Sequence, residues 1–128
     1  MSTRIAVIDD EQVFLDLLHE LLSDEGYEPH IFPDGAAAYP RVRDLAPAAI
    51  ILDMRMESPT AGWQLLERAW QDPALRTTPM IVCSGDIPLL RERAADLQAR
   101  GCVPLAKPFD LTDLLDLLDR MTGGPAQN

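Results

Sequence analysis

The sequence is short of cysteine, of basic side chains and of long apolar runs. Two cysteines among 128 residues exclude a disulfide-rich scaffold, and we expect both thiols to be reduced, as in a cytoplasmic protein. No apolar run approaches the ~18 residues of a membrane-spanning helix, so we expect no membrane insertion. The 11 basic side chains are outnumbered by 21 acidic ones, and the formal net charge of −10 argues against direct binding of nucleic acid. The first residues lead into a predicted strand and then into acids, which is not the pattern of a secretory signal.

Four short apolar runs each end at a residue that can carry chemistry. The runs are Ile5–Ile8 before Asp9 and Asp10, Ala49–Leu52 before Asp53, Met80–Cys83 before Ser84, and Val103–Ala106 before Lys107. Each run has the length and branching of a buried strand, and helical patterns lie between them, so the strands should form a parallel sheet. Functional groups gather at the carboxyl ends of such strands. We therefore expect three acids, one hydroxyl and one amine to share a pocket.

The segments between these runs predict five helices, and Glu28–Phe32 predicts one further strand. Five strands alternating with five helices predict an α/β three-layer sandwich with the flavodoxin-like strand order 2-1-3-4-5. Pro104 fits this order because a proline cannot donate to a ladder and strand five would be an edge. We expect one domain over residues 1–122 and a flexible tail over 123–128. Pro40 is predicted to kink the second helix or delay its start.

Each candidate residue alone has an ordinary structural explanation. Asp9 and Asp10 could lie in a solvated loop, Asp53 and Ser84 could cap helices, and Lys107 could be a surface lysine. Together they are more specific, because converging carboxylates repel one another unless a cation is present. Oxygen ligands with open positions suit Mg²⁺, which binds one or two carboxylates together with phosphate oxygens. A lysine and a hydroxyl opposite the acids would hold phosphoryl oxygens.

From about Arg4 to Met121 the chain resembles the response-regulator receiver domains of two-component signalling. The residues that carry the resemblance are Asp9-Asp10, Asp53, Met56, Gly62, Ser84-Gly85 and Lys107-Pro108-Phe109. The resemblance implies that Asp53 is the nucleophile that accepts a phosphoryl group from a sensor histidine kinase or phosphotransfer protein. It implies that Lys107 pairs with Asp53 and then with the phosphoryl group, and that Ser84 moves to hydrogen-bond that group. The Lys107–Pro108 peptide bond is usually cis in this family.

The resemblance also implies a magnesium site and a signalling role rather than an enzyme that turns over substrate. Asp10, Asp53 and the backbone carbonyl of Arg55 would bind Mg²⁺ directly, and Asp9 would act mainly through a metal-bound water. A downstream protein would bind helix four, strand five and helix five. We expect a monomer or a weak phosphorylation-dependent dimer, either as a stand-alone receiver or as one excised from a larger protein.

Departures from the family pattern leave a second function open. The family commonly has an aromatic switch residue three positions before the lysine, where this chain has Pro104, which has no ring to bury. A receiver fold that binds a partner without phosphorylation is therefore the alternative. A haloacid-dehalogenase-like phosphohydrolase would need a second acid two residues after the nucleophile, where this chain has Arg55. A flavodoxin would need backbone amides and hydroxyls in its first loop to bind a phosphate. The first loop of this chain is acidic, which argues against a flavodoxin.

Overall fold

The computed structural model describes residues 2–54 and 61–125, in which five strands alternate with five helices. The strands are β1 (Arg4–Ile8), β2 (Glu28–Phe32), β3 (Ala49–Asp53), β4 (Met80–Ser84) and β5 (Cys102–Ala106). The helices are α1 (Gln12–Asp24), α2 (Gly35–Leu45), α3 (Ala61–Gln71), α4 (Ile87–Ala99) and α5 (Leu111–Thr122). All strand pairs are parallel and their order is β2-β1-β3-β4-β5, which confirms the predicted topology.

Both faces of the sheet are covered, which explains why the runs Ile5–Ile8, Ala49–Leu52 and Met80–Cys83 are continuously apolar. Successive side chains of a strand point to opposite faces, so Ala6 and Ile8 of β1 pack in one cluster and Ile5 and Val7 in another. The first cluster is closed by α2, α3 and α4, and the second by α1 and α5. The three-layer sandwich therefore leaves the carboxyl edge of the sheet uncovered by helices.

Helices α2 and α5 each begin directly after an aspartate that caps them. Asp34 accepts hydrogen bonds from the backbone amides of the first turn of α2, and Asp110 accepts one from Thr112 at the start of α5. Pro40 lies inside α2 and does not mark a late start, because the Asp34 cap already opens the helix at Gly35.

Two details of the helices do not follow from the apolar pattern alone. Gly62, one of the residues that carry the family resemblance, belongs to the first turn of α3. The apolar residues Val13 and Leu17 follow helical spacing in α1, but their exposed fractions are 80% and 46%. Leu15 is one of the residues that fill the buried face of α1 instead.

Both cysteines are free, as predicted, and lie on opposite faces of the sheet. Cys83 packs with α1 and α5, and Cys102 packs with α2, α3 and α4.

At the end of α5, Gly123 adopts a positive φ of 81° and its N–H donates to the carbonyl of Asp119. Residues 126–128 of the predicted tail lie outside the described residues, and no described helix is long and apolar enough to span a membrane.

Candidate functional site

The candidate residues meet at the carboxyl edge of the sheet. Asp53 and Ser84 are the last residues of β3 and β4, and Asp9 and Lys107 directly follow β1 and β5. Because β1, β3, β4 and β5 are consecutive neighbours, the four strand ends stand side by side. The sheet register alone thus brings together residues that are almost 100 positions apart in sequence.

Three carboxylates form a compact group that could hold a metal ion. One oxygen each of Asp9, Asp10 and Asp53 lies within 4.8 Å of the others. Asp9 and Asp53 are buried and Asp10 is exposed, so the group opens to solvent on one side. A set of carboxylate oxygens with an open side fits Mg²⁺, which keeps several waters or phosphate oxygens in its coordination shell. Arg55, whose carbonyl the sequence reading added to this set, lies outside the described residues.

The ammonium of Lys107 neutralises this acidic group. Its Nζ donates to Oδ2 of Asp9 at 2.7 Å and lies 3.7 Å from Oδ2 of Asp53. Burial of the ammonium lowers the pKa of Lys107, but the hydrogen bond to Asp9 and the negative charges of Asp53 and Asp9 outweigh burial and raise it above its ordinary value. The Lys107–Pro108 peptide bond is cis, as the family resemblance implied.

Ser84 connects the site to the start of α4. Its carbonyl accepts the backbone N–H of Lys107 at 2.8 Å, and its buried hydroxyl oxygen accepts the backbone N–H of Asp86 at 3.0 Å. Asp86 in turn caps α4, because its Oδ1 accepts the N–H of Leu89 at 3.0 Å. The hydroxyl hydrogen of Ser84 takes no part in these bonds and can be donated to a ligand in the cleft.

These residues line an open cleft of about 400 Å³. The lining residues are Glu11, Asp53, Ser84, Gly85, Asp86 and Lys107. Sequence reasoning missed Glu11, whose carboxylate lies 4.0 Å from the Lys107 ammonium. The signal was present, since Glu11 directly follows the acidic pair and is the third acid in a row.

Cys83 lies opposite Asp53 in the sheet register but is not a competing nucleophile. Burial raises the pKa of the Cys83 thiol to about 12, and the positive charge of Lys107 opposes this only in part. Because the thiolate is the reactive form, a thiol held neutral behaves as a small apolar side chain.

An apolar surface patch borders the cleft on the side of α1 and α5. Its residues are Phe14, Leu17, Pro108, Phe109 and Leu111. Phe14 and Phe109 meet edge to face with their ring centroids 6.0 Å apart, and the Lys107 ammonium lies 4.2 Å from the centroid of Phe14. The patch frames a cavity of about 490 Å³ and reaches the lysine of the cleft directly.

Comparisons with known proteins agree with this geometry. Residues 5–119 match the family model described as the response regulator receiver domain. Response regulator MprA of Mycobacterium tuberculosis is 33% identical over 123 residues, which cover 90% of this chain and 48% of that protein. The chain thus spans about half the length of the curated relatives it matches.

Two solved structures support the fold. The chemotaxis protein CheY4 of Vibrio cholerae has a TM-score of 0.82 at 24% identity, with 94% of this chain and 99% of that chain covered. The receiver domain of the sensor histidine kinase PA1611 of Pseudomonas aeruginosa has a TM-score of 0.80 at 22% identity, with 97% and 100% covered. That second structure holds a magnesium ion coordinated in its active-site cleft.

Proposed function

The chain belongs to the response regulator receiver domain family, and from this premise we propose that it takes a phosphoryl group onto Asp53 and thereby switches the binding of a partner or relays the phosphate. The observation that carries the proposal is the meeting of three acids, a lysine and a hydroxyl at the open edge of the sheet. The donor would be a sensor histidine kinase or a phosphotransfer protein.

In the proposed reaction an Oδ oxygen of Asp53 bonds to phosphorus as the bond between phosphorus and the donor's histidine nitrogen breaks. The side chains of the cleft position the reactants and balance charge, as in phosphoryl transfer generally. Lys107, which already lies 3.7 Å from Asp53, would pair with a phosphoryl oxygen. Ser84 would donate its hydroxyl hydrogen to a second oxygen.

Mg²⁺ is the cofactor that the acid set fits. Asp10 and Asp53 would bind it directly, Asp9 would act through a bound water, and the backbone carbonyl of Arg55 would be a further ligand. When bound, the ion supplies positive charge next to the acids and the incoming phosphoryl group. Asp9 and Asp10 would hold the ion in place, and the magnesium found in the PA1611 receiver domain supports this assignment.

The apolar patch suits the docking of the phosphoryl donor. Leu17 is an exposed large apolar side chain, and the patch that it belongs to adjoins Lys107 at the mouth of the cleft. A donor that buried this patch would bring its histidine to the edge of the sheet where Asp53 lies.

We further propose that the protein is cytoplasmic and that it is a monomer or a weak phosphorylation-dependent dimer.

Labelling of the purified chain tests the acceptor. With Mg²⁺ and acetyl phosphate, the wild-type chain should give a retarded species on a phosphate-affinity gel, and chelation of Mg²⁺ should remove it. Asp53→Asn should abolish that species, whereas the exposed control Asp24→Asn should leave it unchanged. Undiminished labelling of Asp53→Asn would overturn the assignment.

A phosphorylation-independent interaction module is the second candidate, favoured by Pro104 at the position where the family commonly has an aromatic switch residue. Partner capture distinguishes the two functions. Proteins retained on the immobilised chain should differ with and without Mg²⁺ and beryllofluoride if the chain is a switch. An identical set of retained proteins would favour the module.

A further inference from the structure

Helices α3 and α4 begin on the two groups that a phosphoryl group would connect. The N–H of Gly62 donates to the carbonyl of Met54 at 3.2 Å, and a Cβ on Gly62 would lie 2.3 Å from the carbonyl oxygen of Asp53. The first turn of α3 therefore rests directly on the backbone of the proposed acceptor. The first turn of α4 is tied to Ser84, whose hydroxyl accepts the N–H of the capping residue Asp86.

Two stacked cation–aromatic contacts join these helices along their length. The guanidinium of Arg93 lies 4.4 Å from the ring centroid of Trp63, and that of Arg100 lies 4.1 Å from the ring centroid of Trp70. The two rings meet edge to face with their centroids 5.6 Å apart. The tryptophans are seven residues apart, which places them about two turns apart on one side of α3. Arg100 follows Arg93 by seven residues and is the C-cap residue that directly follows α4.

Helix α4 buries fewer of its residues than α3 does. Leu90 and Leu97 are the buried side chains of α4, whereas α3 buries four residues, among them Leu65 and Leu66. An element with few buried apolar contacts is easily displaced. The contacts of Arg93 and Arg100 with the tryptophans link α4 and the residue that directly follows it to α3.

Resting on the proposed function, we infer that the stack of Trp63 and Arg93 is the contact that changes on phosphorylation, and that the stack of Trp70 and Arg100 is the pivot. A phosphoryl group on Asp53 that draws in Ser84 moves the start of α4 relative to the start of α3. The Trp63 stack spans the two helices close to that point. The backbone positions of Trp70 and Arg100 lie about two helical turns farther from Ser84, and we expect the displacement to be smaller there even though the two tryptophan rings are in contact with their centroids 5.6 Å apart.

The stack of Trp63 and Arg93 takes the role of the aromatic switch residue that β5 lacks. Pro104 occupies the middle of β5, and Val103 and Leu105 flank it, so none of these side chains can act as an aromatic switch. A downstream partner would then recognise the altered position of α4.

The two tryptophans of the chain make the inference measurable by fluorescence. Trp70→Phe leaves Trp63 as the sole emitter, and Trp63→Phe leaves Trp70. On addition of Mg²⁺ and beryllofluoride, the emission maximum should shift in Trp70→Phe and stay constant in Trp63→Phe. An equal shift in both variants, or a shift confined to Trp63→Phe, would overturn the assignment of switch and pivot.

Arginine variants test whether the stack transmits the change to α4. Amide exchange of residues 87–99 should change on addition of Mg²⁺ and beryllofluoride in the wild-type chain and in Arg100→Gln. That change should be lost in Arg93→Gln and restored in Arg93→Lys, which keeps the charge. A response in Arg93→Gln equal to that of the wild type would overturn the inference, as would its equal loss in Arg100→Gln.

Fluorine resonance of bound beryllofluoride, recorded on the same samples, separates this inference from the proposed function. Binding in every variant together with an unchanged response in Arg93→Gln would overturn the stack alone. Absence of bound beryllofluoride from the wild-type chain would overturn the phospho-acceptor function, and the inference with it.

Discussion

The Lys107 ammonium donates to the Asp9 carboxylate at 2.7 Å, which is 1.0 Å shorter than the 3.7 Å between the same ammonium and Asp53. The lysine is thus held more closely by the buried acid that follows β1 than by the proposed acceptor, which lines the cleft. Because the ring of Phe14 also lies beside this ammonium, the position of Lys107 is fixed before any ligand binds.

Removing the lysine should make stability depend on magnesium. Lys107→Ala leaves the buried carboxylate of Asp9 without its cation, and we expect a loss of about 1–3 kcal/mol in the free energy of unfolding because Lys107 is partly exposed. Millimolar Mg²⁺ should restore most of this loss, since a ligand that binds only the folded state stabilises it. Urea unfolding with and without Mg²⁺ measures both effects.

The matched control is Glu11→Gln, which removes an exposed charge 4.0 Å from the same ammonium. Exposed pairs contribute about 0–1 kcal/mol, so its unfolding should stay close to that of the wild type. Equal stability of Lys107→Ala and wild type in the absence of Mg²⁺ would contradict a neutralising role for the lysine.

Gly62 and Gly85 form a second matched pair, because both adjoin the site and differ in the space around them. Gly62→Ala would place a Cβ 2.3 Å from the Asp53 carbonyl oxygen, whereas a Cβ on Gly85 would meet nothing within 4 Å. We expect Gly62→Ala to lose about 1–3 kcal/mol of stability despite the higher helix propensity of alanine. Gly85→Ala should change stability by about 0.5 kcal/mol or less. Equal denaturation midpoints for the two variants would argue against the close contact of α3 with β3.

The phenols of the two tyrosines should both lose their protons at a pH above the ordinary value for tyrosine. Burial raises the pKa of Tyr27 to about 12, helped by its hydrogen bond to Asp119, and burial raises that of Tyr39 to about 12, helped by its hydrogen bond to Asp72. A raised pKa favours the neutral phenol, so this stabilisation is present below the unfolded value of 10.0 and is lost as the pH rises towards 12.

Ultraviolet absorbance of tyrosinate measures this directly, because the chain has two tyrosines. The folded protein should show little tyrosinate at pH 10, and the same chain in urea should show about half of its final signal there. Tyr39→Phe should leave the late titration of Tyr27 intact. A midpoint near 10 in the folded state would contradict the buried, hydrogen-bonded placement.

Strands β1, β3 and β4 could be predicted from sequence because their burial on both faces leaves a local trace, whereas the edge strand β5 is only partly buried. Each run of β1, β3, β4 and β5 is apolar throughout and ends at a polar residue, so the strand ends and the five candidate side chains were predictable together. Helix faces were harder to predict. Val13 and Leu17 obey the apolar spacing of α1 but are exposed, whereas Leu15, Leu18 and Leu22 form its buried face.

Contacts between side chains of different helices and strands are harder to predict from the sequence. The preference of Lys107 for Asp9 depends on how far each strand extends past its neighbour, which sequence spacing does not encode. The tryptophan and arginine pairs recur at seven residues in α3 and α4, but this spacing identifies a shared helix face and not which face of another helix it meets.

The lifetime of the phosphorylated form should depend on Asp86 and Arg55. Asp86 lines the cleft, and Arg55 lies outside the described residues. The family resemblance implies that both positions border the path of hydrolytic water, and we predict that the two side chains face each other across the mouth of the cleft. An exposed Arg–carboxylate pair contributes only ~0–1 kcal/mol to stability but can obstruct in-line water. Arg55→Gln and Asp86→Asn should therefore each accelerate phosphate loss from the purified phosphoprotein.

Asp86→Asn is the informative change at its position, because asparagine keeps the oxygen that caps α4 through Leu89 and removes only the charge. Asp34→Asn makes the same substitution at the cap of α2 and should leave the rate of phosphate loss unchanged. If rates for Arg55→Gln and Asp86→Asn agree with wild type within about twofold, a difference of ~0.4 kcal/mol in barrier, then no such gate exists. Acceleration in Asp86→Asn alone would assign the obstruction to the carboxylate without the arginine.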